Sequence, residues 1–394
     1  MRILIISFDA DPPYKGGTST VANVLAKGFI SKGFFCALGY MGKSDNPSVF
    51  FKDKIRLEED NREAAIQFFK KHSFDIILNQ LPTTVDFKFL LEMPIGNCKI
   101  ISAYHNRPIL RPVLLQNLWG IYKESKGFSN KLYVLAKLPL IPLMNIRAKK
   151  IQLKKFSDVC TYSDKILLLS KRFFPVWIKL LPQTKVEKLI AIGNPLVFEK
   201  SFSQQDYGKK EKLVIAVCSA NYQKRAYLML KIWKMIEEDA RLLDWKFEFV
   251  GGGEGFDQLK TLAKTLNLKR LHFVGYQNPY SYYQRASIMM MTSKFEGWPM
   301  VLMEGQQMGV IPVSYNSYES ITDIIKDGEN GVIVENNNMR CFVDKMKAIM
   351  LDEKKRERMS GSAIISSERF TIDNIISQYI QLFEGVIEKK PSRH

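Results

Sequence analysis

Short apolar runs, two of them followed by a loop and a helical pattern, constrain the fold of this chain most. Residues 2–7, 212–217 and 286–291 are nearly continuous apolar segments, as expected of strands buried on both faces of a sheet. Residues 21–32 and 226–236 follow the first two segments, with apolar positions at helical spacing. This alternation predicts an α/β protein built on parallel sheets.

The length of 394 residues is sufficient for two domains, each with a full core. We expect an N-terminal Rossmann-like domain over 1–197 and a C-terminal one over 212–370. Residues 198–211 are polar and lack apolar periodicity, which predicts a linker.

The composition is that of a globular protein, with 46% hydrophobic and 25% charged residues. No apolar stretch reaches the roughly 18 residues of a transmembrane helix, and no segment has the pattern of a signal peptide. The five cysteines form no Cys-x-x-Cys pair and the four histidines lack metal-ligand spacing. We therefore expect a cytoplasmic protein with reduced thiols and no metal site.

The formal net charge of +18 indicates an anionic partner. No acid occurs between Glu124 and Asp158, although that stretch contains eight lysines and arginines and the apolar segment 132–144. This mixture predicts peripheral contact of residues 126–155 with an anionic membrane, at the inner face of the cytoplasmic membrane. A solvated basic face is the alternative. No nucleic-acid motif is present, so we expect no nucleic-acid partner.

Residues 294–309 follow the strand predicted at 286–291. Pro299 is suited to the first position of a helix, and Gly309 to its C-terminal cap. A helix that begins at the carboxyl edge of a parallel sheet directs free N–H groups towards a ligand. The segment therefore predicts an anion site, suited to phosphate.

Two carboxylates belong to this segment, Glu296 in the predicted turn and Glu304 inside the predicted helix. Eight positions on a helix span about 12 Å at about 1.5 Å per residue. That separation is too large for one acid–base pair, but it suits hydroxyl groups at two ends of a long ligand. The spacing alone also fits two solvated charges.

The sequence Phe-Glu-Gly-Trp-Pro-Met-Val-Leu-Met-Glu-Gly at 295–305 resembles the signature of retaining glycosyltransferase family 4, Glu-Gly-Phe-Pro-x-x-x-x-Glu-Ala. Residues 218–225 are similar to the family's Gly-Arg-Leu-x-x-x-Lys-Gly element, with Lys224 at the lysine and Ser219 in place of the arginine. Asp-Gly-Glu-Asn-Gly at 327–331 resembles its Asp-Gly-x-Asn-Gly turn. The resemblance to these glycosyl transferases group 1 enzymes, of the bacterial surface-polysaccharide type, is strong over 213–334 and weak before 193.

The resemblance implies a GT-B fold, in which two Rossmann-like domains face each other across a cleft and residues 371–394 form a helix that crosses back to the first domain. It implies sugar transfer, hexosyl or N-acetylhexosaminyl, with retention of anomeric configuration. The expected donor is a nucleotide-diphosphate sugar, foremost a UDP-sugar. The expected acceptor is a glycan or lipid-linked glycan of lipopolysaccharide or capsule synthesis, and no metal cofactor is expected.

The same resemblance assigns residues to roles. It places Glu296 on the donor sugar, Glu304 on the ribose and Lys224 on the diphosphate. With a serine at 219 one cation is missing, so either Arg225 replaces it in part or donor binding is weaker than usual in the family. The expected catalytic residues are Glu296, His105 and Lys224. The expected donor-binding residues are Gly16, Gly17, Ser219, Lys224, Arg225, Tyr276, Glu296, Gly297, Trp298, Pro299, Met300, Val301 and Glu304.

His105 directly follows a predicted strand at 99–104, at the edge where α/β proteins bind ligands, and is expected to contact donor sugar or acceptor. Nearby Arg107 is a weaker candidate for an acidic acceptor. Two other function classes stay open: a GT-B sugar-nucleotide epimerase, and a non-catalytic nucleotide- or polyanion-binding protein.

Overall fold

The computed structural model describes residues 1–8, 17–42, 50–110 and 138–388. They form two α/β domains, each built on one parallel sheet. The nearly continuous apolar runs become central strands of these sheets, since a strand covered on both faces has no solvent side. The predicted fold class is confirmed.

The first domain has a seven-stranded sheet with the order β3-β2-β1-β4-β5-β6-β7. Its strands are β1 (Arg2–Phe8), β2 (Phe35–Met41), β3 (Asp53–Arg56), β4 (Ile76–Asn79), β5 (Lys99–Tyr104), β6 (Lys165–Leu168) and β7 (Leu189–Ala191). Its described α-helices are α1 (Gly17–Ser31), α2 (Arg62–His72), α3 (Phe87–Leu91), α4 (Ile141–Tyr162) and α5 (Phe174–Leu180). The strand order reverses between β1 and β4, where open α/β sheets bind ligands.

The second domain has a six-stranded sheet with the order β10-β9-β8-β11-β12-β13. Its strands are β8 (Glu211–Val217), β9 (Lys246–Val250), β10 (Leu271–Gly275), β11 (Ala286–Met291), β12 (Ile311–Asn316) and β13 (Val332–Glu335). Its helices are α6 (Ala226–Glu237), α7 (Phe256–Thr265), α8 (Tyr280–Arg285), α9 (Met300–Gln307), α10 (Ile321–Ile324), α11 (Met339–Leu351), α12 (Glu353–Ser367) and α13 (Ile372–Ile387). Here the order reverses between β8 and β11, which puts residues 218–225 and 292–299 side by side.

The predicted linker, 198–211, lies between the two sheets and contains a short 3-10 helix, Gln204–Lys209. The final helix, α13, packs on α1 of the first domain. The rings of Phe29 and Tyr379 meet edge to face with centroids 5.8 Å apart, and Lys32 pairs with Asp373 at 3.0 Å.

Two local expectations need correction. The run 159–162 by its local pattern predicts a late strand of the first domain, but these are the last residues of α4, because Phe156 and Val159 form its buried face at helical spacing. Pro299 precedes the helix instead of beginning it: α9 starts at Met300, and Pro299 is its cap with extended backbone. Gly309 lies just beyond the end of α9 with φ +69°, a left-handed conformation that favours glycine.

No helix in the described part of the chain is both long and apolar enough to cross a membrane.

Candidate active site

The two domains meet where β5 and β11 end. A Cβ atom at Gly297 would collide with the carbonyl oxygen of His105 and lie 2.8 Å from the Cα atom of Asn106. Only glycine permits this approach of the two backbones.

Trp298 fills the next part of the same contact. Its ring lies where a Cβ atom at Gly193 would be 2.6 Å away, and it meets Phe370 edge to face at 5.6 Å. The indole N–H donates to the sulfur of Met303 at 3.0 Å. The Trp298 side chain is therefore packed between the domains, which leaves only its backbone for the expected donor contact.

Glu296 is a buried carboxylate held by two side chains. Lys224 Nζ lies 2.6 Å from Glu296 Oε1, and the amide of Gln223 donates to Glu296 Oε2 at 3.2 Å. The carboxylate side chain is 8% exposed and the lysine 20%. This burial excludes the solvated loop acid that the spacing alone left open.

Glu304 faces a different neighbour. The hydroxyl of Tyr283 donates to Glu304 Oε2 at 2.9 Å, and burial raises the pKa of the Glu304 carboxyl to about 7. Tyr283 is fully buried. No sequence motif indicates a role for this tyrosine, because its partner is 21 positions away on another helix.

Cys218, directly after β8, interacts electrostatically with members of both pairs. Burial raises the pKa of its thiol to about 12, while the Lys224 ammonium lowers it and the Glu296 carboxylate raises it. The same thiol acts electrostatically on Tyr283, the partner of Glu304. We refer to the Lys224–Glu296 pair and the Tyr283–Glu304 pair together as the carboxylate pocket.

Arg225 does not have the role we expected. Its guanidinium donates to the carbonyl oxygens of Thr292 and Ser293 at 2.6 and 2.9 Å, and to the amide oxygens of Asn336 and Asn337 at 2.9 and 2.6 Å. The side chain is buried and turned into the protein. Arg225 thus fixes the loop before α6, so the expectation that it replaces a phosphate cation is wrong.

Ser219, at the position of the family's arginine, is half-buried, and its hydroxyl accepts a hydrogen bond from Asn221 at 2.9 Å. Among the described side chains of this loop, Lys224 is accordingly the cation that faces the pocket.

Tyr276 stands at the mouth of the pocket and is 72% exposed. Its ring covers the backbone of Gly252, where a Cβ atom would be 2.8 Å from the ring edge. Gly251 has φ +146°, and a side chain there would collide with the carbonyl of Cys218. These glycines bring the loop after β9 against the loop after β8, and they leave the Tyr276 ring exposed to a planar ligand.

The start of α9 supplies backbone donors. Pro299 has no N–H, so the first free groups are those of Met300 and Val301, while Leu302 N–H is already bonded to the Pro299 carbonyl.

His105 follows β5 at the edge of the first domain. Burial lowers the pKa of its imidazole to about 4, against a weaker opposing effect of Asn194, so the ring is neutral at pH 7. Neither ring nitrogen has a hydrogen-bond partner among the described residues. Gly17 is the first residue of α1, whereas Gly16 lies outside the described residues.

Two further observations concern Arg107 and the side chains that could bind a metal. Arg107, expected for an acidic acceptor, is paired across the domains with Glu319, with Nε 2.9 Å from Oε1. No group of three or more His, Cys, Asp and Glu side chains in the described ranges has the arrangement of a metal site.

Residues 197–365 match the model of the family described as glycosyl transferases group 1. The amylovoran biosynthesis glycosyltransferase AmsD of Erwinia amylovora is 26% identical over 327 residues, covering 78% of this chain and 90% of AmsD. An N-acetyl-D-galactosaminyltransferase of Campylobacter jejuni, named for an acceptor on PP-undecaprenol, is 25% identical over 51% of this chain and 56% of its own. The chain spans only about three-fifths of the length of the first relatives that it matches.

Among solved structures, Anabaena Alr3699/HepE in complex with UDP superposes with a TM-score of 0.70 over 98% of this chain and 100% of that one, at 13% identity. TarM superposes with a TM-score of 0.72 over 97% and 98%, at 12% identity. These likenesses establish the fold as GT-B, which confirms the expected architecture. Over residues 197–365, the chain is similar to the glycosyl transferases group 1 family.

Proposed function

We propose that this protein is a retaining glycosyltransferase of family 4 that moves a hexosyl or N-acetylhexosaminyl group from a UDP-sugar to a glycan or lipid-linked glycan. The observation that carries the proposal is the carboxylate pocket at the start of α9. There a lysine, two carboxylates and free backbone N–H groups lie at the switch point of the second sheet.

The charges of this pocket suit a diphosphate leaving group. Lys224 and the N–H groups of Met300 and Val301 would stabilise the negative charge that develops on the leaving diphosphate. Glu296 would accept hydrogen bonds from hydroxyl groups of the donor sugar, and Glu304 would accept them from the ribose hydroxyl groups. With these donors in place we propose that no metal cofactor is needed, so that chelation by EDTA leaves the rate of transfer unchanged.

The acceptor would enter from the first domain, where neutral His105 can donate one hydrogen bond and accept another. We assign no protein nucleophile, and the leaving phosphate is the proposed base for the proton of the acceptor hydroxyl. The relatives' names support an acceptor of surface-polysaccharide synthesis, and HepE, solved with UDP, supports the uridine donor.

A thermal-shift screen of nucleotide sugars tests the donor site. Binding to the folded state stabilises it by about 2.7 kcal/mol at 100 times the dissociation constant. We expect one UDP-sugar to raise Tm in the wild type and to lose this effect in Glu304→Ala. Glu329→Ala, an exposed acid of the same domain, is the matched control and should keep the shift. If none of the nucleotide sugars raises the Tm of the wild type, the proposal is contradicted.

The alternatives predict different products. An epimerase would convert the sugar nucleotide without an acceptor, whereas a transferase releases free UDP in step with acceptor glycosylation. Release of UDP that needs no acceptor, with a new sugar nucleotide formed, would favour the epimerase. The relatives that are named for glycosyl transfer favour the transferase.

We also propose that α4 rests on an anionic membrane at the inner face of the cytoplasmic membrane. Leu143 and Ile146 are 64% and 67% exposed, and exposed Arg147, Lys150 and Lys154 share their side of the helix. We call these five residues the basic apolar face of α4. Apolar side chains would enter the headgroup region while the cations contact lipid phosphates. The remainder of the predicted stretch 126–155, residues 126–137, lies outside the described residues.

Sedimentation with vesicles tests this face. We expect binding to phosphatidylglycerol vesicles and not to phosphatidylcholine vesicles. Replacing Arg147, Lys150 and Lys154 by Gln should weaken it at least about tenfold, since each basic residue near the surface contributes about 1 kcal/mol. A control variant replaces Lys246, Lys264 and Lys354, exposed on the other domain, and removes the same charge. Equal loss in both variants, or none in the first, would contradict the proposal.

A further inference from the structure

A second cavity opens at the carboxyl edge of the first sheet, on the opposite domain from the carboxylate pocket. Its volume is 360 Å³, within the roughly 300–1,000 Å³ typical of small-molecule sites. Gln80 and His105, at the ends of β4 and β5, line it together with Thr18 of α1 and with Lys155 and Phe156 of α4. We call it the N-terminal cavity.

Polar groups in this cavity are buried without partners. Gln80 is 3% exposed, yet neither its amide oxygen nor its amide nitrogen has a hydrogen bond to the described residues. Both ring nitrogens of His105 also lack a hydrogen bond of normal geometry within that part of the chain, although Asn194 acts on the ring. Leaving such buried groups unpaired is costly, so a ligand with hydroxyl groups would satisfy them.

The charge of the cavity has one sign. Its described lining contains no Asp or Glu, and Lys155 is its cation. Lys155 makes no ion pair with a described residue, although it also lines the neighbouring cavity, whose lining includes Asp86 and Asp158. Arg107 is not available as a second cation, because Glu319 neutralises it. An anionic group is therefore the complement of this site.

We propose that the N-terminal cavity binds the terminal sugar of the acceptor and that this sugar carries an anionic group, a carboxylate or a phosphate ester. Lys155 pairs with the anion, while Gln80 and His105 hydrogen-bond to the hydroxyl groups. This inference rests on the proposed glycosyl transfer and goes beyond it, because it names the acceptor's charge and the residue that selects for it.

Saturation-transfer NMR on the full chain with UDP present tests the inference. The probes are methyl glucuronoside, glucose 6-phosphate and methyl glucoside, which is neutral. We expect at least one anionic probe to bind about fivefold more tightly than the neutral one, as an exposed ion pair that contributes about 1 kcal/mol would give. The anionic probe that binds more tightly identifies carboxylate or phosphate as the recognised group.

Variants locate the effect. Lys155→Gln should abolish the preference for the anion, whereas Lys149→Gln, an exposed lysine of α4 outside the cavity, should retain it. Gln80→Leu, of similar size, should weaken all three probes, because the amide that bonds their hydroxyls is gone.

Equal binding of neutral and anionic probes, retention of the preference in Lys155→Gln, or no binding of any probe would overturn the inference. Its failure is distinguishable from failure of the proposed function, since the donor thermal shift depends on the carboxylate pocket alone. A donor shift without anion preference rejects only the cavity assignment, whereas anion preference without a donor shift rejects the transferase.

Discussion

Two glutamates of one short segment have opposite neighbours. Glu296 faces the ammonium of Lys224, whereas Glu304 faces the hydroxyl of Tyr283 and no cation among its described hydrogen-bond and ion-pair partners. Burial without a cation favours the protonated form, and the pKa of Glu304 is accordingly raised to about 7. The ionisation of Glu304 is thus sensitive to pH in the physiological range.

At the residue scale we predict that donor binding strengthens with pH. Glu304 accepts hydrogen bonds from two ribose hydroxyl groups only as a carboxylate, so the Kd for the sugar donor should fall about tenfold between about pH 6 and about pH 8. The free energy of unfolding changes with pH in the opposite direction. The folded-state pKa of Glu304 lies above the ordinary 4.5, so the stabilisation by protonated Glu304 is fully present below pH 4.5 and is lost as pH rises through about 7.

Isothermal titration calorimetry with the UDP-sugar from the screen, over this pH range, measures the first effect. Glu304→Gln, which cannot ionise, should show no such slope. An unchanged slope in this variant would assign the titration to another group.

At the element scale, the loop between β8 and α6 depends on Arg225. This residue caps α6 and has φ +48°, a backbone conformation that is unfavourable for residues other than glycine. Its guanidinium donates hydrogen bonds to the loops after β11 and β13. The hydrogen bonds compensate the backbone strain and hold Lys224, the preceding residue, towards Glu296.

We predict that Arg225→Lys lowers the free energy of unfolding by about 2–3 kcal/mol, because one ammonium cannot bond all the acceptors on two separate loops. Urea denaturation measures the change. Arg340→Lys, at an exposed position, is the control and should stay within about 0.5 kcal/mol of wild type. Equal stability of the two variants would show that the Arg225 hydrogen bonds contribute little.

At the scale of the whole molecule, the cleft is held by contacts between distant parts of the chain. The Gly297 backbone lies against His105, Arg107 pairs with Glu319, and Arg172 pairs with Asp323 at 3.2 Å. These contacts bring the carboxylate pocket and the N-terminal cavity to face each other, so their relative position depends on how closely the domains approach.

We predict that Gly297→Ala separates the domains and lowers kcat for transfer at least about tenfold, since small displacements of reacting groups are costly. Donor binding should fall less than kcat, because Lys224, Glu296 and Glu304 all lie within the second domain. Gly208→Ala, where an added Cβ atom meets nothing within 4 Å, is the control. Transfer assays and the radius of gyration from solution scattering measure the effect, and a wild-type rate would contradict it.

The sequence by itself determined the elements and the centre of the site. Apolar runs and helical spacing encode strands and helices locally, and the segment 295–305 was sufficient to predict the GT-B fold and the two glutamates. Local pattern was misleading where an apolar stretch suits both structures, as at 159–162.

The tertiary structure alone decided which partners these residues have. The partners of Arg225 lie 67 to 112 positions away, Glu319 lies 212 positions from Arg107, and Tyr283 reaches Glu304 from a separate helix. Residue spacing carries no record of such pairs, because they form only when two sheets and two domains pack together. The same packing buries Gln80 and His105 beside Lys155, and so creates a cavity that no motif announces.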